Sequence, residues 1–217
     1  MPTSYRYLTA TIGRDRVLEL RRWLLAAGRA ERGTPLPRGR LWGSWLGAGS
    51  IGWFDDQVVV MTFGAGGAQV DGADDAQENG ADSDWLASGP GVTGVECVTL
   101  RSTARPTHDA PLERPGAYAH RWFDVSPADV DEIVSLSAEA WPAFEAGYDA
   151  QVQGLFRSEE GRSRLLLVTR YASVGEWERS RGIGQARDGY LGRARRNFEK
   201  RRALTGRQVV RVANLVL

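Results

Sequence analysis

The side chains of this sequence that allow chemistry beyond packing are two histidines, eight tryptophans and a few arginines set inside apolar segments. His120 stands in "YAHRWFDV", where strand-like alternation puts it on one face with Trp122 and puts Phe123 and Val125 on the other. An unperturbed imidazole titrates near pH ~6.5, so His120 is the acid/base candidate. In "SYRYLTATI" the same alternation sets Tyr7 and Thr9 apart from Leu8 and Ala10. We therefore take His120 as the proton-moving group, Tyr7 as a hydrogen-bond donor, and Trp122 and Thr9 as ligand contacts. Trp42, Trp45 and Trp53 cluster in one hairpin and offer either an aromatic wall for a flat organic molecule or simple core filling. Arg157 and Arg170 lie in or at the end of apolar strands and call for an anionic partner, from a substrate or from a protein carboxylate such as Glu96. Gln208 and Asn214, on one face with Val210 and Val212, offer polar groups to the same pocket.

Several other chemistries lack their residues. His108 and His120, twelve positions apart with no accompanying His/Glu motif, make no metal-ligand spacing, so no metal is expected. No cofactor is required, although an axial haem role for His120 stays open. Gly47, Gly49 and Gly52 are not followed by the Gly-Lys-Ser/Thr of a phosphate loop, and no Ser or Cys sits in a nucleophile elbow. Cys97 is the single cysteine, which excludes a disulfide framework and fits a reducing compartment. The start lacks a basic and apolar leader, and no apolar run approaches the length of a membrane span, so a soluble cytoplasmic protein without membrane attachment is expected.

The elements that must position these residues occur twice. Strand 4–12, a helix ending at Gly28, a hairpin from "RLWGSWLG" and "DQVVVMTFG", and a strand in "GVECVTLRS" form the first set. The Gly/Asp-rich stretch 64–94 reads as a long loop around a short helix near Trp85. In the second set, Ser126 and Pro127 open a helix with Val130, Ile133, Ser137, Ala140, Trp141 and Phe144 along one stripe, with Pro142 as a kink or stop. Two hairpin strands, a helix around "ARRNFEKRRA" and the strand "RQVVRVANLVL" follow. Each set is strand, helix, strand, strand, helix, strand, the ferredoxin-like order, and matching first, second and last strands are about 113 residues apart. The predicted fold class is α+β: two ferredoxin-like repeats, 1–104 and 117–217, fused into a dimeric α/β barrel-type fold with antiparallel sheets, and joined by a Pro-rich linker, 105–116.

"YAHRWFDVSPADVDEIVSLSAEAWPAFE" and "QGLFRSEEGRSRLLLVTRYASVGEWERSR" resemble the NIPSNAP family of the dimeric α/β barrel superfamily, most specifically in Gly154-Leu155-Phe156-Arg157, Gly161 and Tyr171-Ala172-Ser173. The first hairpin looks like a worn copy of the same pattern. The resemblance implies the fold and a bacterial small-molecule protein: a binder of an apolar or aromatic molecule, with cofactor-free oxygenation, cyclisation or isomerisation as candidate reactions. The alternatives are a non-catalytic interaction or scaffold protein with a filled barrel, and a haem-binding barrel enzyme.

Net charge is +1, which gives no overall field for nucleic acid. Locally, Arg193, Arg195, Arg196, Lys200, Arg201, Arg202 and Arg207 face only Glu199, while Asp71, Asp74, Asp75, Glu78, Asp82 and Asp84 form an acidic block. Such blocks pair with each other within or between chains. No nucleic-acid motif accompanies them, and homodimerisation through outer surfaces is expected.

Overall fold

The computed structural model describes residues 4–31, 33, 40–46, 56–64, 73–108, 110–185 and 189–216. Trp53, Asp71 and the glycines 47, 49 and 52 lie outside them, as do the side chains of Asp74, Asp75 and Glu78. The chain forms two compact units, each with its own core: unit 1 is 1–101, 109–115 and 213–217, and unit 2 is 102–108 and 116–212. Residues 102–108 thus fall in unit 2 and 109–115 in unit 1, and the last five residues fall in unit 1.

Unit 1 contains β1 (Ser4–Ile12), α1 (Val17–Gly28), β2 (Arg40–Leu46), β3 (Gln57–Phe63), α2 (Ala73–Ala87) and β4 (Val92–Ser102), the last residue of which belongs to unit 2. β1 pairs antiparallel with both β3 and β4, and β2 pairs with β3. The order is therefore β4-β1-β3-β2. Leu8, Ala10, Ile12, Val58 and Val60 from the sheet pack on Leu20, Leu24 and Ala27 of α1 and on Trp85 and Leu86 of α2. The 64–94 stretch holds a helix of 15 residues, longer than expected from its sequence. Among its described side chains Asp82, Trp85 and Leu86 are buried, the i, i+3, i+4 spacing of a single contact turn, so the helix carries little apolar stripe to betray it.

Unit 2 repeats the plan with β5 (Ala117–Val125), α3 (Val130–Gly147), β6 (Ala150–Ser158), β7 (Arg164–Tyr171), α4 (Val174–Ser180), α5 (Gly189–Ala203) and β8 (Thr205–Leu215). β7 pairs antiparallel with β5 and β6, and β8 lies beside β5, giving the order β8-β5-β7-β6. Both units thus place their fourth, first, third and second strands side by side. β1 and β5 are each nine residues long, and β4 and β8 each eleven. Beyond Val212, β8 joins unit 1, where Leu215 and Asn214 pair with Trp45 and Leu46 of β2.

Local chemistry starts the helices of unit 2. The hydroxyl of Ser126 accepts from the Ala128 N–H at 3.3 Å, with Pro127 at the first helical position. Ser173 accepts from the Glu176 N–H at 3.1 Å, an N-cap that explains why the Tyr171-Ala172-Ser173 strand end passes at once into α4. The α3 stripe is buried as expected, and the helix continues through Pro142 to Gly147.

Both repeats also share a device in their second strand. The register shifts before Gly43 in β2 and before Gly154 in β6. A Cβ on Gly43 would meet the ring of Trp45 at 2.7 Å, and one on Gly154 would overlap the ring of Phe156. Glycine after the bulge lets the aromatic two residues on fold back over the backbone. This Gly-x-aromatic pair is what the first hairpin and the Gly154-Leu155-Phe156 segment have in common.

Candidate functional site

Each sheet has a face packed on its helices and an opposite face, and the sequence candidates divide between them. In unit 2, Ala117, Ala119, Phe123 and Val125 pack toward helices, so Tyr118, His120 and Trp122 point to the opposite face. Arg170, Val168 and Leu166 stand across from these three on β7. His120 is wholly buried, and Trp122 is half-buried with the Arg164 guanidinium 4.7 Å from its ring.

Burial pushes the His120 pKa down to about 3, and the positive charge of Arg211 on β8 pushes in the same direction. The imidazole is therefore neutral at physiological pH. It offers one N–H donor and one lone pair, and it is a weak base until an anion arrives to offset Arg211. This differs from an imidazole with its ordinary pKa: the group is poised to hydrogen-bond a neutral ligand, and its basicity rises only when negative charge develops beside it.

Tyr7 is the fourth residue of β1, as His120 is of β5. It is buried in unit 1 on the face away from α1 and α2, with Thr9 half-buried on the same face. Trp42 and Trp45 are buried in unit 1 and packed ring on ring. Tyr5 meets Trp42 edge-on at 5.7 Å, Trp42 meets Trp45 at 6.1 Å, and Tyr5 lies 5.9 Å from Phe63. Rings so engaged fill a core rather than offer open faces to a flat ligand.

The remaining candidates lie elsewhere. Arg157 is exposed and shares its strand face with Leu155, which packs against helices. Arg170 is buried and finds its carboxylate in Asp149 at 3.0 Å, whereas Glu96 is exposed. Val210 and Val212 pack on the helix side, so Gln208 lies on that side too and donates to the Thr205 hydroxyl at 2.8 Å. Asn214 continues the alternation and is exposed. The two residues share a face as expected, but it is the face turned to the helices.

Sequence reasoning passed over the helix-facing polar groups. In unit 1, Arg6 (3% exposed) and Thr62 both reach Asp82 (0% exposed) on α2, at 3.5 and 2.6 Å. In unit 2, Arg201 was counted among the surface charges of the basic helix but is buried. Arg121 shares its strand face with Phe123, and that alternation is a signal that places it toward the helices. Among the described residues no group of His, Cys, Asp and Glu is arranged to hold a metal, and no helix is long and apolar enough to cross a membrane.

No protein-family model and no curated protein sequence matches the chain. Solved structures do match. A candidate monooxygenase from Lactobacillus acidophilus NCFM is similar with a TM-score of 0.63 at 10% identity, over 100% of this chain and 95% of that one. An anthrone oxidase-like protein matches with a TM-score of 0.58 at 12% identity, over 100% and 92%. A chlorite dismutase from Candidatus Nitrospira defluvii matches with a TM-score of 0.53 at 9% identity, over 97% and 90%. Likeness at such low identity speaks for architecture alone. With the element order of both units, it establishes an α+β protein built from two ferredoxin-like repeats, of the dimeric α/β barrel fold.

Proposed function

We propose that the chain binds a small, mainly apolar or aromatic molecule on the His120 face of unit 2, and that the reaction is a cofactor-free oxygenation. The observation that carries this reading is a wholly buried, neutral imidazole beside a half-buried indole and the charge of Arg211. Trp122 supplies a stacking surface. A ligand whose C–H or O–H is acidified by conjugation gives its proton to His120. The carbanion or phenolate so formed is stabilised by Arg211 and raises the basicity of the imidazole as the proton moves. Dioxygen is the oxidant: it takes an electron from that anion and bonds to the carbon, the peroxide so formed takes back the proton from His120, and loss of water leaves a carbonyl on the ligand. The fold likeness to a candidate monooxygenase and an anthrone oxidase-like protein supports the choice of chemistry.

Oxygen uptake with a panel of hydroxylated polycyclic aromatics, without added metal, tests the reading. We expect uptake by the wild-type protein and a fall of about 100-fold in His120→Asn, the size of a typical acid/base contribution. Equal uptake by His120→Asn would sink the assignment, as would no uptake with any compound. A Soret band in the purified protein would replace it by haem chemistry, for which a neutral buried imidazole is also the required form.

A second reading follows from unit 1, where Tyr5, Trp42, Trp45 and Phe63 already fill the face opposite the helices. A non-catalytic binding role would need no reaction at His120, and it would appear as ligand binding without turnover.

A further inference from the structure

The helix-facing side of unit 2 holds two arginines, Arg201 buried and Arg121 half-buried, and among the described residues no carboxylate pairs with either. Arg201 on α5 is 7% exposed. Its guanidinium lies 5.1 Å from the ring of Phe123 and 4.7 Å from that of Phe198, and it donates to the Ser137 hydroxyl at 3.3 Å. Ser137 in turn donates to the Ile133 carbonyl at 2.7 Å, so the hydroxyl is fully used in holding Arg201. Guanidinium carries five N–H donors, and Arg201 uses one of them within the described residues.

Arg121 is the fifth residue of β5 and shares the face of Phe123. No ion pair or side-chain hydrogen bond involves it among the described residues. Burial weakens the proton affinity of both arginines, to a pKa of about 9 for Arg201, which Arg121 and Arg202 depress further, while Arg202 also depresses Arg121. Arg181 adds its charge beside Arg121. Both guanidiniums act electrostatically on the Tyr171 hydroxyl, which is hydrogen-bonded to Ser180. Among the described residues, every charged group acting on the pair is thus another arginine, with Tyr171 as the one weak acid.

A buried positive charge with a second one beside it is costly to fold unless something compensates them. At the equivalent fifth position of β1 stands Leu8, wholly buried in an apolar core, so the repeat architecture does not require an arginine there. Planar forks on one sheet face and one helix match the oxygens of a phosphate or carboxylate group.

We propose that Arg121 and Arg201 form a binding site for a small oxyanion, a phosphate or carboxylate group, seated between β5 and the helices of unit 2, with Tyr171 as a further donor. The site is on the opposite sheet face from His120 and stands independently of the proposed reaction.

Thermal unfolding at matched ionic strength, with chloride replaced by inorganic phosphate or by succinate at 10 mM, tests it. We expect the wild-type midpoint to rise by several degrees with at least one anion, and which anion acts identifies the headgroup. Arg121→Leu, which installs the residue of the first repeat, is expected to melt no lower than wild type in chloride and to lose the anion response. Calorimetric titration of wild type with the active anion is expected to give saturable binding that weakens at least 30-fold in Arg121→Leu or Arg201→Met. Absence of any anion-specific rise or heat in the wild-type protein would overturn the proposal, and so would an undiminished response in a folded Arg121→Leu protein.

Discussion

The two repeats bury an arginine on the helix side of the sheet and treat it in opposite ways. In the first, Arg6 meets Asp82, itself fixed by the Thr62 hydroxyl, so charge and counter-charge come from one chain. In the second, Arg201 meets two phenylalanine rings and a serine, and it and Arg121 act on the Tyr171 hydroxyl. The opposite sheet faces diverge as well: aromatic rings pack together in unit 1, while unit 2 places a neutral histidine near Arg211. One architecture has been used once for stability and once for polar groups that a packed core does not need.

Removing the counter-charge of the first repeat should have the largest effect. Asp82→Ala strands Arg6 in the core and is expected to lower stability by about 3–5 kcal/mol in urea unfolding. A loss under about 1 kcal/mol would mean that the Arg6 charge is already compensated, and the contrast between the repeats would fade.

Acid sensitivity comes next. His120 has a folded pKa far below its unfolded value, so the unfolded chain takes up the proton first as pH falls. Its contribution to stability is complete above pH ~6.5 and declines below it by up to about 1.4 kcal/mol per pH unit, ceasing to change near the folded value. Urea midpoints of wild type and His120→Asn between pH 7 and 5 should therefore diverge, with the variant the flatter of the two. Parallel curves would show that the imidazole is not held neutral.

Overpacking the shared Gly-x-aromatic device is expected to cost about 1–3 kcal/mol in Gly154→Ala and a similar amount in Gly43→Ala, because each new methyl meets an aromatic ring. Unequal effects would show that only one repeat depends on it. The smallest change is expected from Glu145→Ala. The Glu145 carboxylate accepts from Arg105 at 2.6 and 3.3 Å and from the Val152 N–H at 2.8 Å, with Arg105 also over Trp141. Partial exposure limits the loss to about 1 kcal/mol, read as a fall in the urea midpoint.

Local signals were legible in the sequence. Ser126-Pro127 and the apolar stripe of α3 need only neighbouring residues, and the repeat of element order gave the fold class. What alternation alone cannot say is which face meets the helices. Gln208, Val210, Val212 and Asn214 do share a face, yet its orientation is set by the elements packed against β8. Arg201 looked like one more charge on a basic helix because its burial depends on Phe123 and Ser137, far away in sequence. The α2 helix was hidden because a single buried turn holds it.

Ligand affinity compared between equivalent positions tests the central claim, that function lies in the second repeat. His120 and Tyr7 occupy the same place in β5 and β1. Titration of a hydroxylated polycyclic aromatic by tryptophan fluorescence should show affinity lowered at least 30-fold in His120→Asn and less than threefold in Tyr7→Phe. Equal losses in the two variants, or a loss confined to Tyr7→Phe, would contradict the account.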